Sequence, residues 1–343
     1  MRRFEWVNAQ SEAEAAASGA TTVAAAMVVP AGGRAPQDAV IVKAGGIDLL
    51  DLMKEGLLQP RRIINLRGIA ELDKIVEQRE GTLRIGSLVT LATVANHPIV
   101  QKHYTALADV ARSSASPQIR NVATLGGNLL QRPRCWYFRS THHHCARKGG
   151  ETCFAFGGEN QYHAIFDHSG CAIVHPSTAA TALVALGASV ELVHSEGSRR
   201  QVPLEEFFLL PYQDIHREND LKPGEILSAV VLPKPEPSVR TVHLKQGEKD
   251  SFDWPIADVA VLLDRGAGGV CRRASIVLGA AAPVPHRAKA AEAVLIGKSV
   301  RDETARDAAH AALTGAAPLT KNAYKLPIFE TLVRRAILAA AAM

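Results

Sequence analysis

The chain has 343 residues, of which 47% are hydrophobic, so its composition argues against a disordered protein and leaves room for two or three domains. The formal net charge of +5 is spread along the chain without a dense block of lysine and arginine. Charge therefore gives no indication of nucleic-acid binding. No apolar run reaches the ~18 residues that a membrane-spanning helix requires.

The N-terminal segment has one feature of an export signal, because Arg2 and Arg3 could open a twin-arginine motif. Acidic side chains nevertheless lie where a signal is basic or apolar, at Glu5, Glu12 and Glu14. The stretch FEWVNAQSEAEAAAS instead predicts a short strand, a helix cap at Ser11 and an amphipathic helix. We expect no signal peptide in this chain, and a location either in the cytoplasm or in the periplasm by co-export with a partner.

Short strands and helices are predicted to alternate through the first two thirds of the chain. Val40–Lys43 is a β-branched strand that runs into a glycine pair and then a helix over 49–57. A helix is also expected over 104–118. The stretch IRNVATLGGNLLQ predicts a strand, a loop with two adjacent glycines and another strand. The stretch AIVHPSTAATALVALGASVELVH predicts strand, loop, helix and strand.

A boundary is predicted near HRENDLKPGE, residues 216–225, which is polar and contains proline and glycine. Beyond it, EILSAVVLP, SVRTVHLKQ, ADVAVLLDRG and VCRRASIVLGAAAP predict four successive strands. Three helical stretches follow them up to the C-terminus. Strands followed by helices predict an α+β layer, an antiparallel sheet with helices on one face.

Two glycine pairs, Gly45–Gly46 and Gly126–Gly127, are each expected at the end of a strand. Glycine there lets the backbone approach a ligand, and consecutive N–H groups can bind an anion. Two such loops could clamp the two phosphates of a dinucleotide, although a single Gly-Gly pair is more often only a tight turn. Neither pair belongs to a G-x-G-x-x-G fingerprint, so the sequence does not support a Rossmann domain.

Both loops resemble those of a known family. IVKAGGIDLLDLM and IRNVATLGGNLL are similar to the two FAD-pyrophosphate loops of the flavin-binding subunits of the xanthine dehydrogenase and carbon monoxide dehydrogenase family. LKPGEILSAVVLP, HLKQGEK and LGAAAPVPHRAKAAEAVLIGK resemble that family's C-terminal domain. The resemblance therefore covers nearly the whole chain in order.

The family resemblance implies a fold and a domain division. The fold is an α+β, two-part FAD-binding domain of the vanillyl-alcohol-oxidase type followed by an α+β C-terminal domain. The FAD-binding domain is expected over 1–218, with subdomains of about 1–60 and 61–218. The C-terminal domain is expected over 219–343.

The resemblance also implies which residues bind FAD. One loop would wrap the diphosphate and ribityl chain, with Ile41, Val42, Lys43, Ala44, Gly45, Gly46, Ile47 and Asp48. Thr124, Gly126, Gly127 and Asn128 would form the second phosphate loop. Ile226 or Leu227 would lie against the flavin, and Lys245 would reach the isoalloxazine edge. Where the family often has Ser-Asp, this chain has Ser177–Thr178, so a charged contact is not implied there.

Four of the five cysteines lie in one segment, at Cys135, Cys145, Cys153 and Cys171. No cysteine precedes them, and only Cys271 follows, in a predicted strand where we expect an inert thiol. The clustering argues against four unrelated buried thiols. Two disulfides, a zinc site or a [4Fe–4S] cluster could each use four cysteines. The absence of a C-x2-C knuckle disfavours structural zinc.

The resemblance favours the cluster, because this insertion at 132–172 is similar to that of the few family members whose flavin subunit carries an extra [4Fe–4S] centre. Its flanks, CWYFR and YHAIF, most resemble the aldehyde oxidoreductase type. Aromatic residues in and near the segment would shield the cluster from water, at Trp136, Tyr137, Phe138, Phe154 and Phe156. The run His142–His144 is expected to be a solvated turn.

Together these features imply the FAD and [4Fe–4S] electron-transfer subunit of a molybdenum-containing aldehyde oxidoreductase. By analogy, its partners are a molybdenum-cofactor large subunit and a [2Fe–2S] small subunit in a heterotrimer, with an external electron acceptor. An alternative is the flavin subunit of an enzyme like 4-hydroxybenzoyl-CoA reductase, in which electrons run the other way. Another is a non-redox scaffold subunit that kept the fold.

Overall fold

The computed structural model describes residues 2–30, 33, 36, 38–249 and 251–343. The strands are β1 Glu5–Asn8, β2 Val40–Lys43, β3 Arg62–Asn65, β4 Ile75–Glu77, β5 Leu83–Gly86, β6 Ser189–His194, β7 Arg199–Pro203, β8 Glu225–Leu232, β9 Val239–Gln246, β10 Ala257–Arg265, β11 Cys271–Gly279 and β12 His286–Arg287. The helices are α1 Glu12–Ser18, α2 Val23–Met27, α3 Ile47–Lys54, α4 Leu91–Asn96, α5 Pro98–His103, α6 Thr105–Ser113, α7 Pro117–Arg120, α8 Leu125–Leu129, α9 Thr178–Ala185, α10 Leu204–Phe207, α11 Lys289–Leu295, α12 Asp302–Ala311 and α13 Lys325–Ala342.

A small parallel sheet forms the N-terminal part, in the order β1-β3-β2. The Oγ of Ser11 accepts a hydrogen bond from the backbone N of Glu14 at 3.1 Å, which caps α1. The predicted strand, cap and helix at the N-terminus are therefore confirmed, and so is the strand Val40–Lys43.

A five-stranded antiparallel sheet in the order β4-β5-β8-β6-β7 forms the centre of the molecule. β8 follows the expected domain boundary at 218/219, yet it pairs with β5 and β6 from the preceding part of the chain. All eight of its residues are buried. The segment that leads into the C-terminal part is thus a central strand of this sheet.

The C-terminal part is a four-stranded antiparallel sheet in the order β12-β11-β10-β9, with α11, α12 and α13 packed on one face. Val259 and Val261 of β10 face these helices, while Ala260 and Leu262 pack into the core that contains α6 and α9. Burial of both faces explains the continuous apolar run of β10. The predicted α+β fold is confirmed.

Two predicted strands in IRNVATLGGNLLQ are wrong, because this stretch forms α7, a turn and α8. Thr124 decides the outcome: its Oγ1 accepts a hydrogen bond from the N of Gly127 at 3.1 Å and so begins a helix. The second glycine pair therefore lies in the first turn of a helix. The strand predicted at the start of AIVHPSTAATALVALGASVELVH is also absent from the described structure, where the carbonyl of Ala172 accepts a hydrogen bond from the N of Ala164 at 3.0 Å.

Among the helices that the structure describes, none combines the length and the apolar character needed to cross a lipid bilayer.

His175 gives the fold a dependence on pH. Its ring is buried against Phe208 at 4.3 Å, its Nδ1 accepts from the N of Ser177, and its Nε2 has no partner. Burial lowers the pKa of His175 to about 3. The unfolded chain therefore takes up a proton below pH ~6.5 that the native ring resists, so stability is lost as the pH falls from there.

We predict that His175→Phe flattens this acid dependence. Between pH 6.5 and 5 the native chain should lose up to about 2 kcal/mol more stability than the variant. Urea unfolding at pH 7.5, 6.5 and 5 measures the difference. Parallel pH profiles for the two proteins would contradict the assignment to His175.

Candidate functional site

A cavity of about 620 Å³ lies where the N-terminal part, the central sheet and the C-terminal sheet meet. Its volume is in the range of small-molecule and cofactor sites. The loop between β2 and α3 forms one wall and the first turn of α8 another. The C-terminal part contributes Lys245 from β9 and the loop 252–255.

The loop between β2 and α3 needs both of its glycines. Gly46 has a φ of +87°, a left-handed conformation that favours glycine. A Cβ at Gly45 would lie 2.4 Å from the carbonyl oxygen of Val122, so Gly45 permits this loop to pack against the segment that leads into α8. A side chain at Gly45 would therefore disturb the packing of the two loops against each other, whether or not a ligand is bound.

In the first turn of α8, the backbone of Gly127 lines the cavity. A Cβ there would have the Thr124 Oγ1 at 3.0 Å and the Ala44 Cβ at 4.0 Å as its nearest neighbours. Gly126 is different, because its Cβ would lie 2.7 Å from the Cβ of Ser87. Of these two glycines, Gly127 is the one whose side chain would extend toward the ligand space.

Fifteen of the seventeen predicted cofactor residues line this one cavity: Val42, Lys43, Ala44, Gly45, Gly46, Ile47, Asp48, Thr124, Gly126, Gly127, Asn128, Thr178, Ile226, Leu227 and Lys245. Ile41 does not; it is a buried core residue beside the loop. Ser177 does not either: its Oγ donates to the Asn128 Oδ1 at 2.6 Å and caps α9. Their roles toward a cofactor stay predictions.

Asp48 connects the β2–α3 loop to the cysteine segment. Its Oδ2 accepts from the backbone N of Arg132 at 2.8 Å. Its Oδ1 pairs with the Nη2 atoms of Arg134 and Arg139, at 2.8 and 2.6 Å. The negative charge of Asp48 is therefore offset by cations, and this carboxylate does not repel an anion in the cavity.

Several residues of the cavity wall were missed from the sequence. Arg132 and Glu218 lie in its wall, and their side chains are 3% and 4% exposed and form an ion pair at 3.0 Å. The rings of Phe252 and Trp254 also lie in the wall, and each contacts an arginine. The Arg120 guanidinium is 5.5 Å from the centroid of the Phe252 ring, and the Arg134 guanidinium is 4.7 Å from that of Trp254. Two signals in the sequence could have found part of this wall. They are the arginine next to a cysteine in PRCW, which is Arg134, and the two aromatic residues of the loop 252–255.

The cavity wall contains more lysine and arginine residues than Lys43 and Lys245, the two that the sequence predicted. Burial, with a smaller contribution from Arg67, lowers the pKa of Lys43, whose Nζ donates to the Ala44 carbonyl and the Asn65 Oδ1. The lysine and arginine residues of the lining are Lys43, Arg132, Arg134, Arg217, Lys222 and Lys245. The same lining holds five carboxylates, Asp48, Asp51, Glu218, Glu225 and Asp253, so six positive charges against five negative ones leave a net excess of one positive charge.

A second, smaller cavity is lined by all four clustered cysteines. All five cysteines of the chain are free thiols, so the disulfide alternative has no support in the structure. Arg147 Nε donates to the Cys171 Sγ at 3.3 Å, and His163 Nε2 lies 3.2 Å from the Cys135 Sγ. The long insertion thus folds so that distant cysteines meet in one buried place.

The thiols differ in their protonation. Burial raises the pKa of Cys135 to about 12. A hydrogen bond from Cys153 and the nearby Arg147 charge lower the pKa of Cys171 against the effect of burial. Metal binding at this place would have to release the protons held on the other sulfurs.

Single-ion coordination is not found at this place. Within the described residues, no three or more His, Cys, Asp or Glu side chains are grouped so that they could hold a metal ion. The predicted [4Fe–4S] centre is therefore not established by the geometry.

The aromatic shield is only partly realised. Tyr137, Phe138 and Phe154 line the small cavity, but Phe154 is itself 36% exposed, and Phe156 lies outside the lining and is 39% exposed. His143 is half-buried against the rings of Tyr137 and Phe154, so the histidine run is not wholly a solvated turn. Cys271 is buried in β11, away from the four others, as expected.

Comparison with known proteins resolves the family. The family described as FAD binding domain in molybdopterin dehydrogenase matches residues 2–235, and that described as CO dehydrogenase flavoprotein C-terminal domain matches residues 242–340. The chain belongs to the xanthine dehydrogenase and carbon monoxide dehydrogenase family of FAD-binding subunits. This family consists of subunits of oxidoreductases, which confirms the resemblance read from the two glycine loops.

Individual relatives in this family cover most of the chain. The aldehyde oxidoreductase FAD-binding subunit PaoB of Escherichia coli is 36% identical over 286 residues, 82% of this chain and 86% of that protein. The carbon monoxide dehydrogenase medium chain of Hydrogenophaga pseudoflava is 29% identical over 304 residues, 87% of this chain and 88% of that protein.

Solved structures of the family share the fold over the full length. The carbon monoxide dehydrogenase of Hydrogenophaga pseudoflava that lacks the Mo-pyranopterin moiety matches with a TM-score of 0.74 and 27% identity, over 99% of this chain and 98% of that chain. Quinoline 2-oxidoreductase from Pseudomonas putida matches with a TM-score of 0.73 and 25% identity over the same shares.

We predict that Gly127→Val removes most bound FAD, because its side chain would extend into the large cavity, where we expect the cofactor to bind. Flavin absorbance per purified chain measures occupancy. Gly157→Val is the matched control, since a Cβ at this glycine of the cysteine segment meets no atom within 4 Å. Full flavin occupancy in Gly127→Val would exclude Gly127 from the FAD site.

Proposed function

We propose that this chain is the electron-transfer subunit of a molybdenum-containing aldehyde oxidoreductase and that it holds FAD and a [4Fe–4S] cluster. The observation that carries the proposal is that two sequence-distant glycine loops line one cavity while four sequence-distant cysteines line another. The aldehyde assignment rests on the 36% identity to the aldehyde oxidoreductase FAD-binding subunit of Escherichia coli.

The larger cavity suits FAD in shape and charge. Backbone at Gly46 and Gly127 would face the diphosphate, and the arginine and lysine side chains of the wall would balance its charge. Ile226 and Leu227 would supply apolar contact, and Lys245, whose Nζ donates to the Ser113 carbonyl at 3.4 Å, would lie at the ring edge. When bound, FAD supplies the redox chemistry, while this chain binds it, orients it and tunes its potential.

The cluster is assigned to the smaller cavity because the four cysteines there are the donor set that a [4Fe–4S] centre uses. A zinc ion needs all of its ligands at ~2.0–2.3 Å from one point. The four thiolates of a [4Fe–4S] cluster bind four different iron atoms and therefore need not converge on one point. The support for the cluster is therefore the donor set itself, four cysteines that line one small buried space.

We predict that Cys145→Ser loses or damages the iron centre, loosens residues 132–172 and leaves FAD bound. The segment has little regular structure, so the metal would offset much of its conformational entropy. Iron, sulfide and flavin analyses after anaerobic purification measure this, with about four iron and four sulfide per native chain.

Cys271→Ser is the control for the cysteine prediction, since Cys271 lies in β11 outside the cavity. Zinc in place of iron in the native protein would contradict the cluster. Full iron content in Cys145→Ser with an unchanged electron paramagnetic resonance spectrum would remove Cys145 from the ligand set.

The partners are inferred from the family. Several relatives are named as medium chains or medium subunits, which agrees with a complex of three kinds of subunit. The large subunit would hold molybdenum and oxidise the aldehyde, the small subunit would hold two [2Fe–2S] clusters, and this chain would pass electrons to an external acceptor. Assembly in the cytoplasm or after co-export stays a prediction.

We predict that affinity purification of this chain from its native host yields two further subunits, molybdenum and aldehyde-oxidising activity, whereas the isolated chain oxidises no aldehyde. Mass spectrometry, metal analysis and an assay with an artificial electron acceptor measure the outcome. A complex that reduces an aromatic acyl-CoA instead would favour the reductase alternative. A colourless chain without partners would favour the scaffold alternative.

A further inference from the structure

Three buried charged side chains connect the two cavities. Arg132 and Glu218 lie in the wall of the large cavity and pair at 3.0 Å. The other carboxylate oxygen of Glu218 accepts from Arg147 Nη1 at 2.5 Å. Arg147 lies in the wall of the cysteine cavity, where its Nε donates to the Cys171 Sγ. We name this chain of contacts, Arg132–Glu218–Arg147, the arginine bridge.

The arginine bridge carries an excess of positive charge. Its two guanidinium groups face one carboxylate, and the three side chains are at most 4% exposed. A buried charge is costly unless an opposite charge compensates it. Glu218 can neutralise only one arginine, so the second charge needs an anionic partner in one of the cavities.

Buried donor atoms without a hydrogen-bond partner also indicate that the arginine bridge needs an anion. Arg147 Nη2, Arg132 Nε and Arg132 Nη2 are buried and have no hydrogen-bond partner. Buried donors of this kind are rare in native proteins and call for an anion or acceptor that completes them. For Arg147, the group already in contact is the sulfur of Cys171.

We propose that Arg147 is a positioning residue that raises the reduction potential of the iron–sulfur cluster and that Glu218 holds it in place and moderates its charge. This inference rests on the four-cysteine cluster of the proposed function. Cluster potentials depend on net charge, hydrogen bonds to the sulfurs and solvent exposure. Arg147 supplies a positive charge and a hydrogen bond to sulfur, and both stabilise the state with one added electron.

The charge of Glu218 should change the cluster potential in the opposite direction to that of Arg147. Its negative charge lies one side chain away from the cysteines and disfavours an added electron, while its oxygen fixes the Arg147 guanidinium. Glu218→Gln keeps a carbonyl oxygen for that hydrogen bond but removes the charge. The cluster potential should then rise. In Arg147→Met it should fall, although Glu218 still pairs with Arg132.

The test is a potentiometric titration with dithionite of the anaerobically purified protein, together with the subunits that accompany it, followed by electron paramagnetic resonance. Arg147→Met should lower the ratio of reduced to oxidised cluster at fixed potential at least tenfold, which is ~59 mV for a one-electron couple. Arg147→Lys should shift it less, because the charge remains. Arg84→Met is the matched control: this arginine also pairs with a glutamate, Glu191, but within the central sheet.

The outcomes separate the two proposals. A native protein without iron overturns the cluster and this inference with it. A native protein with a full cluster, whose midpoint is unchanged in both Arg147→Met and Glu218→Gln, overturns only the role of Arg147. If Arg147→Met fails to assemble, Glu218→Gln and Arg147→Lys still decide: a rise in the first and a smaller fall in the second support the inference, and shifts in the same direction or none overturn it.

Discussion

One carboxylate, Asp48, sets the relation between the two candidate cofactor sites. It lies in the first turn of α3, where an acidic residue is favourable. From there it accepts a hydrogen bond from the backbone of Arg132 and pairs with Arg134 and Arg139, all at the start of the cysteine segment. The loop that lines the large cavity and the segment that encloses the small one are thereby fixed against each other. Loss of this carboxylate would leave Arg134 and Arg139 with Asp51, at 3.5 and 3.2 Å, as their remaining carboxylate partner, and Asp51 does not contact the backbone of Arg132 as Asp48 does.

The cysteine segment is held from its other side by the C-terminal helix. Lys325 is buried at the start of α13, and its Nζ donates to the carbonyls of His163 and Ala280. Asn322 donates to the carbonyls of His163 and Ala164. A segment with so little regular structure has many backbone groups to satisfy, and these side chains replace the bonds that a sheet or helix would supply. Burial lowers the pKa of Lys325 to about 7, and the side chain is fully shielded from solvent.

The C-terminal sheet completes the larger cavity because β10 is covered on both faces. One face of the sheet packs on α11, α12 and α13, and the other packs on α6 and α9 of the preceding part of the chain. That placement brings Lys245 and Trp254 to the cavity, and Arg134 lies 4.7 Å from the Trp254 ring. Arg134 also contacts Asp48. The three parts of the molecule therefore meet at the ligand space.

By itself, the sequence determined the elements whose signals are local. Ser11 caps α1 as its spacing to Glu14 predicts, the β-branched run Val40–Lys43 is a strand, and the order of strands and helices after residue 225 is as expected. The two glycine loops and three C-terminal stretches, taken in order, were enough to identify the family, because each stretch carries its residues within a few positions of one another. Four of the five cysteines fall within residues 135–171, and that clustering indicated a common site.

Only the tertiary structure decided what depends on contacts between distant residues. TLGGN begins a helix because Thr124 caps it, although two adjacent glycines usually indicate a loop. β8 joins the central sheet because its neighbours β5 and β6 lie far from it in sequence and no local pattern names a strand's partner. Glu218, 71 residues beyond Arg147, becomes its buried partner only once the chain has folded, and the arginine bridge has no signature that a linear sequence could show.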